Sequence, residues 1–126
     1  MQDKPPPDEI LGAVARLMRE LLPQTSGRSA FMLRVAANAV DLVQRQIALA
    51  AVSDEEERAR LTALLQRDGD LATLNAELCA AIENGSIGAA TPGLAQHLWA
   101  TTLAKLAVDQ PNYAAYRRLT NPPQKD

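Results

Sequence analysis

The stretch AFMLRVAANAVDLVQRQIALAA, residues 30–51, contains neither glycine nor proline, and its large apolar residues return at three- and four-residue intervals. Wound as an α-helix, it places Phe31, Val35, Ala39, Leu42, Val43, Ile47 and Leu49 on one wide apolar face. A face that broad predicts a central helix, the longest of the chain, with several neighbours packed on it. Downstream, Ser53 followed by Glu56 has the spacing of a capping box and predicts a third helix over 54–66, buried through Leu61, Leu64 and Leu65. Asp68-Gly69-Asp70 reads as a turn in which Asp70 caps a fourth helix over 71–84, closed by Gly85. Thr91-Pro92 repeats a cap-plus-proline start, and the fifth helix ends by Pro111. Upstream, Pro5-Pro6-Pro7 sets the start of the first helix over 8–22, and Pro23 stops it.

No stretch alternates with the period of a strand, and there is no internal repeat. The predicted fold is therefore all-α, a single-domain bundle of five main helices with a central long second helix. Residues 1–7 form a flexible lead, 8–113 the helical bundle and 114–126 a tail that begins, at most, with a helical turn.

Composition narrows the function. Hydrophobic residues make up 47% of the 126 but aromatics only 3%, so the core must be built from Leu, Ala, Val and Ile, as helical proteins build theirs. Thirteen basic residues against fifteen acidic ones, without a long run of either sign, argue against nucleic acid as a partner. One cysteine, Cys79, and one histidine, His97, leave no disulfide and no Cys/His metal set. With neither a signal-like N-terminus nor a long apolar run, the expectation is a cytoplasmic protein that does not enter a membrane. Glycine-rich phosphate loops, GxSxG and HExxH are absent as well, so no catalytic residue, metal or cofactor is assigned.

What remains is a set of polar residues inside apolar helices. In LAQHLWATTLAKLAVDQPNY, residues 94–113, Leu94, Leu98, Trp99, Thr102 and Leu106 share one arc, and Lys105 and Asp109 fall within it. Lys105 and Asp109, four apart, can pair; the same lysine could hold an anion or, if its pKa were lowered, act as a nucleophile. On the second helix, Arg34, Asn38, Asp41 and Arg45 follow one line, either the lip of a cleft for a carboxylate or phosphate or a solvated face of local ion pairs. Asn75 on the fourth helix needs buried partners, while Cys79 beside it reads as a small hydrophobe. His97 reads as a surface or cleft-edge residue. Trp99 belongs either to the core or to a contact with a partner or a second copy in a homodimer.

Three stretches, FMLRVAANAVDLVQRQ (31–46), DLATLNAELCAAI (70–82) and HLWATTLAKLAVDQPNY (97–113), together resemble a small bacterial family described only as a domain of unknown function. The resemblance implies an association with phosphotransferases of the aminoglycoside/choline-kinase type and with acyl-CoA dehydrogenase-like proteins. Within the matching stretches lie Arg34, Asn38, Asn75, Glu77, Thr102, Lys105, Asp109, Gln110 and Tyr113, to which it gives no catalytic role. Two functions follow as expectations. One is a non-catalytic accessory or regulatory domain that binds a partner enzyme, with Trp99 and Tyr113 at the contact. The other is a small-molecule module for an anionic or acyl-type ligand, in which Arg34, Asn38, Asn75, Thr102, Lys105 and Asp109 converge as one buried network. An enzyme using Lys105 ranks behind both, because no base, oxyanion donor or metal set accompanies it.

Overall fold

The computed structural model describes residues 4–121. The helices are α1 (Pro7–Leu21), α2 (Gly27–Leu65), α3 (Leu71–Glu83), α4 (Leu94–Asp109) and α5 (Ala114–Thr120), with a 3-10 turn at Leu22–Gln24. No strand occurs among the described residues, and the fold is all-α. The chain divides into two compact units, residues 1–50 and 51–126, and α2 contributes to both.

The local signals explain most of the boundaries. Pro7 opens α1, where its missing N–H costs nothing, and Asp8 and Glu9 suit the positive end of the helix dipole. Asp70 caps α3 by accepting from the Thr73 backbone N–H at 3.0 Å and from its hydroxyl at 2.6 Å. Gly85, at φ +79°, turns the chain out of that helix, and the Ile87 N–H returns to the Ala81 carbonyl at 3.0 Å.

Three expectations about elements are corrected. Ser53 does not open a new helix: it lies inside α2, which runs unbroken from Gly27 to Leu65. A capping box matters only where backbone N–H groups lack partners; with no glycine or proline between 28 and 65, the carbonyls of the preceding turn already serve them. Thr91 does not cap α4 either, because its hydroxyl accepts from the Gly88 N–H at 3.0 Å and the N-cap position belongs to Gly93, at φ +88°. The segment after Tyr113 forms the short helix α5 rather than one helical turn. Of the expected lead and tail, residues 1–3 and 122–126 lie outside the described residues.

In the first unit, α1 lies against one side of α2. Arg19 donates to both carboxylate oxygens of Asp41, through Nη1 at 3.2 Å, and reaches the Asn38 side-chain oxygen at 3.5 Å. Gly12 meets Gln44 so closely that an added Cβ would come within 2.9 Å of its Nε2. Ala15 and Ala37 are buried, small residues that suit two helix backbones brought close together. The wide apolar face expected to be central is not the one that α1 covers. Phe31, Val35, Ala39, Leu42, Val43, Ile47 and Leu49 are all exposed, on the side of α2 opposite Ala37, Asp41 and Gln44.

In the second unit, Leu61 from α2, Leu74 and Leu78 from α3 and Leu94 from α4 form the core, with Leu64, Leu65, Leu71 and Ile87 packed around them. The leucine stripe at 61, 64 and 65 thus does what its spacing predicts, from within a longer helix.

Candidate functional site

The second unit carries two features with chemical content: the outward face of α4 and a buried polar cluster beneath it. On α4, Leu94 and His97 are buried and Thr101, Ala104 and Val108 half-buried, a sequence of three- and four-residue steps that defines the inward side. Leu98, Trp99, Thr102, Lys105 and Asp109 are exposed and occupy the flank that runs from beside Leu94 round to Trp99. The arc expected to face the core is therefore largely turned outward: of its members Leu94 is buried, Leu106 is half-buried and the rest are exposed. Apolar residues occur all round this helix, with Ala100, Leu103, Ala104, Ala107 and Val108 on the other side, so an apolar count does not fix which side is buried.

This rotation changes the roles of the polar residues. Lys105 and Asp109 stand in solvent, and no ion pair joins them. Thr102 turns its hydroxyl onto the Leu98 carbonyl of its own helix at 2.8 Å. Trp99 is 54% exposed and Leu98 49%, so two large apolar side chains lie adjacent and uncovered, with Thr102, Lys105 and Asp109 on the same helix face. Tyr113, at the N-cap of α5, is also half exposed.

Beneath lies a histidine whose sequence context read as a surface or cleft edge. His97 is 3% exposed and its Nδ1 has no hydrogen-bond partner among the described residues. Burial first, and then the Arg60 guanidinium, hold its pKa below the ordinary histidine value, while the Glu57 carboxylate acts in the opposite direction. Glu57 accepts from Asn75 Nδ2 at 2.8 Å, and the same nitrogen donates to the Leu71 carbonyl at 3.1 Å. Asn75, itself half-buried, thus has half-buried partners, supplied by α2 and its own helix. Arg60 Nε, Thr62 Oγ1 and Thr101 Oγ1 are likewise buried without a partner. Of these residues Arg60 also lines a cleft of about 170 Å³, together with Ala63, Leu64, Pro92, Gly93 and Gln96. The signal that could have found His97 is its place in the row Leu94, His97, Thr101, Ala104, Val108.

The remaining expected residues serve the helices. Asn38 and Asp41 receive Arg19 from α1, so that part of the line on α2 is an interhelical clasp. Arg34 is exposed and Arg45 half-buried in the first unit. Glu77 pairs with Arg67 at 2.8 Å, and Cys79 is exposed rather than part of an apolar interior. Among the described residues, no group of His, Cys, Asp or Glu is arranged to hold a metal, and no helix is long and apolar enough to cross a membrane.

No curated protein and no solved structure matches the chain. A family model matches residues 23–113, which include α2, α3 and α4 with both features just described. The chain belongs to the family described as domain of unknown function DUF6285.

Proposed function

We propose that the chain is a non-catalytic, cytoplasmic accessory module that docks on another folded protein through the outward face of α4, with Trp99 as its anchor. The observation that carries this reading is the adjacency of half-exposed Leu98 and Trp99 on a helix face that also bears Thr102, Lys105 and Asp109. An apolar anchor with polar neighbours is how protein interfaces are built, and tryptophan is among the residues whose truncation costs most there. The partner class implied by the sequence resemblance is a phosphotransferase-like or acyl-CoA dehydrogenase-like enzyme. The test is affinity capture by the tagged chain from the organism that makes it, in parallel with Trp99→Ala. A protein retained by the wild type and lost with the variant supports the reading; identical recoveries contradict it.

A second reading, a binder of a small anion, is favoured by a cleft lined by Arg60 and Gln96, where Arg60 is close enough to His97 to act on the charge of its imidazole. It moves the ligand from Arg34 and Lys105, the residues expected to hold it, to Arg60, whose planar donor set suits carboxylate or phosphate. Inorganic phosphate titrated against the NMR signals of the lone imidazole separates the two readings. A saturable shift abolished by Arg60→Gln supports binding, and an unshifted imidazole removes it.

A further inference from the structure

The exposed side of α2 carries a second pattern. Met32, Val35, Ala39, Leu42, Gln46 and Leu49 are all exposed and are spaced three, four, three, four and three residues apart. That alternation is the a/d seam of a helix packed along its length on another helix. Phe31 and Val43 widen it, and between 31 and 49 every charged residue, Arg34, Asp41 and Arg45, lies off the seam. Within its unit, α1 occupies the opposite side through Arg19, Asp41 and Gln44, so it does not cover these residues.

From this geometry we infer that α2 pairs with α2 of a second copy in an antiparallel, two-fold symmetric dimer. The seam is complementary to its own reverse. Placing the two-fold axis between Ala39 and Leu42 sets the smallest seam residue against a leucine, twice, and matches Met32 with Leu49 and Val35 with Gln46. Interlocking of large with small residues, with residue i meeting j and j meeting i, is what an isologous interface requires. The area is also sufficient. Phe31, Met32, Val35, Leu42, Val43 and Leu49 are each about half exposed. Side chains of this size then leave roughly 80 Å² apiece, or about 500 Å² together. A standard interface buries about 800 Å² per partner, of which about 500 Å² is apolar. Gln46, a polar residue in a seam position, restrains the affinity and fixes the register, as buried polar residues do in coiled coils. This surface is on a different helix from the Trp99 face, so either can fail without the other.

The experiment is sedimentation velocity on the full chain from about 1 to 100 µM, with circular dichroism confirming helix content in each variant. The wild type should reach twice the 13.6 kDa chain mass. Leu42→Lys should weaken the dimer by at least about a hundredfold, and Gln46→Leu should tighten it by about tenfold. Spin labels on Arg28→Cys in a Cys79→Ser background should lie roughly 40 Å apart, since residue 28 faces residue 53 of the partner. A monomer at the highest concentration, or a dimer indifferent to both seam variants, overturns the inference. A label separation under about 20 Å overturns the antiparallel pairing.

Discussion

Leu94→Ala and Leu98→Ala remove the same atoms from one helix, four residues apart, and their costs should differ about threefold. Leu94 is 6% exposed and packs in the core with Leu61, Leu74 and Leu78. Removing its isobutyl end forfeits about 2 kcal/mol of transfer free energy, and a residual cavity of about 50 Å³ adds about 1 kcal/mol at 24 cal/mol per Å³. The sum, about 3 kcal/mol, falls within the range for buried leucines. Leu98 is 49% exposed, so about half the transfer term applies and water fills the space; the expected cost is about 1 kcal/mol or less. Urea denaturation followed by ellipticity at 222 nm, with the slope m unchanged, reads both values. Equal costs, or a greater cost for Leu98→Ala, would refute the rotation assigned to α4 and return Lys105 and Asp109 to the interior.

Other consequences can be checked with the same assay. Because Ser53 lies inside α2, Ser53→Ala should stabilise by about 0.5 kcal/mol through helix propensity, whereas Asp70→Ala should cost about 1 kcal/mol through the lost cap; a loss at Ser53 would mean that a helix begins there. Gln66 closes α2 at φ +52°, and Gln66→Gly should stabilise by about 1 kcal/mol, a gain that would be absent if the backbone there were ordinary helix. His97 is held below the ordinary histidine value, so the unfolded chain binds its proton first as the pH falls. Stability should therefore decline as pH drops below about 6.5 and level off once the pH is below the folded-state pKa. His97→Leu should remove that slope; an unchanged slope would place its origin elsewhere.

The helix ends were legible where one residue type has one physical use. Pro7 could only open a helix, Asp70 followed by Thr73 could cap one, and Gly85 could leave one in the left-handed region. Continuity through Ser53 was not legible, because serine with glutamate three residues later is a start signal only where the preceding turn is missing. Among the candidate residues, Asn75 was readable: an amide withdrawn from solvent demands partners, and half-buried Asn75 has Glu57 and the Leu71 carbonyl. Trp99 is exposed, one of the two environments its position allowed. Lys105 and His97 exchanged places. Alanine, leucine and valine on both sides of α4 made the two rotations nearly equivalent in hydrophobicity, and packing against Leu61 and Leu74 selects the one that buries a histidine.

The docking of the Trp99 face is tested most directly with the chain's lone tryptophan replaced by 5-fluorotryptophan, which gives a single ¹⁹F resonance. In buffer that line should be narrow and show the solvent-isotope shift of an exposed indole. In a lysate of the organism that makes the chain, with free fluorotryptophan as a viscosity reference, it should broaden and lose that shift as the indole is covered. A line that stays narrow and solvent-exposed in the lysate would contradict docking through Trp99.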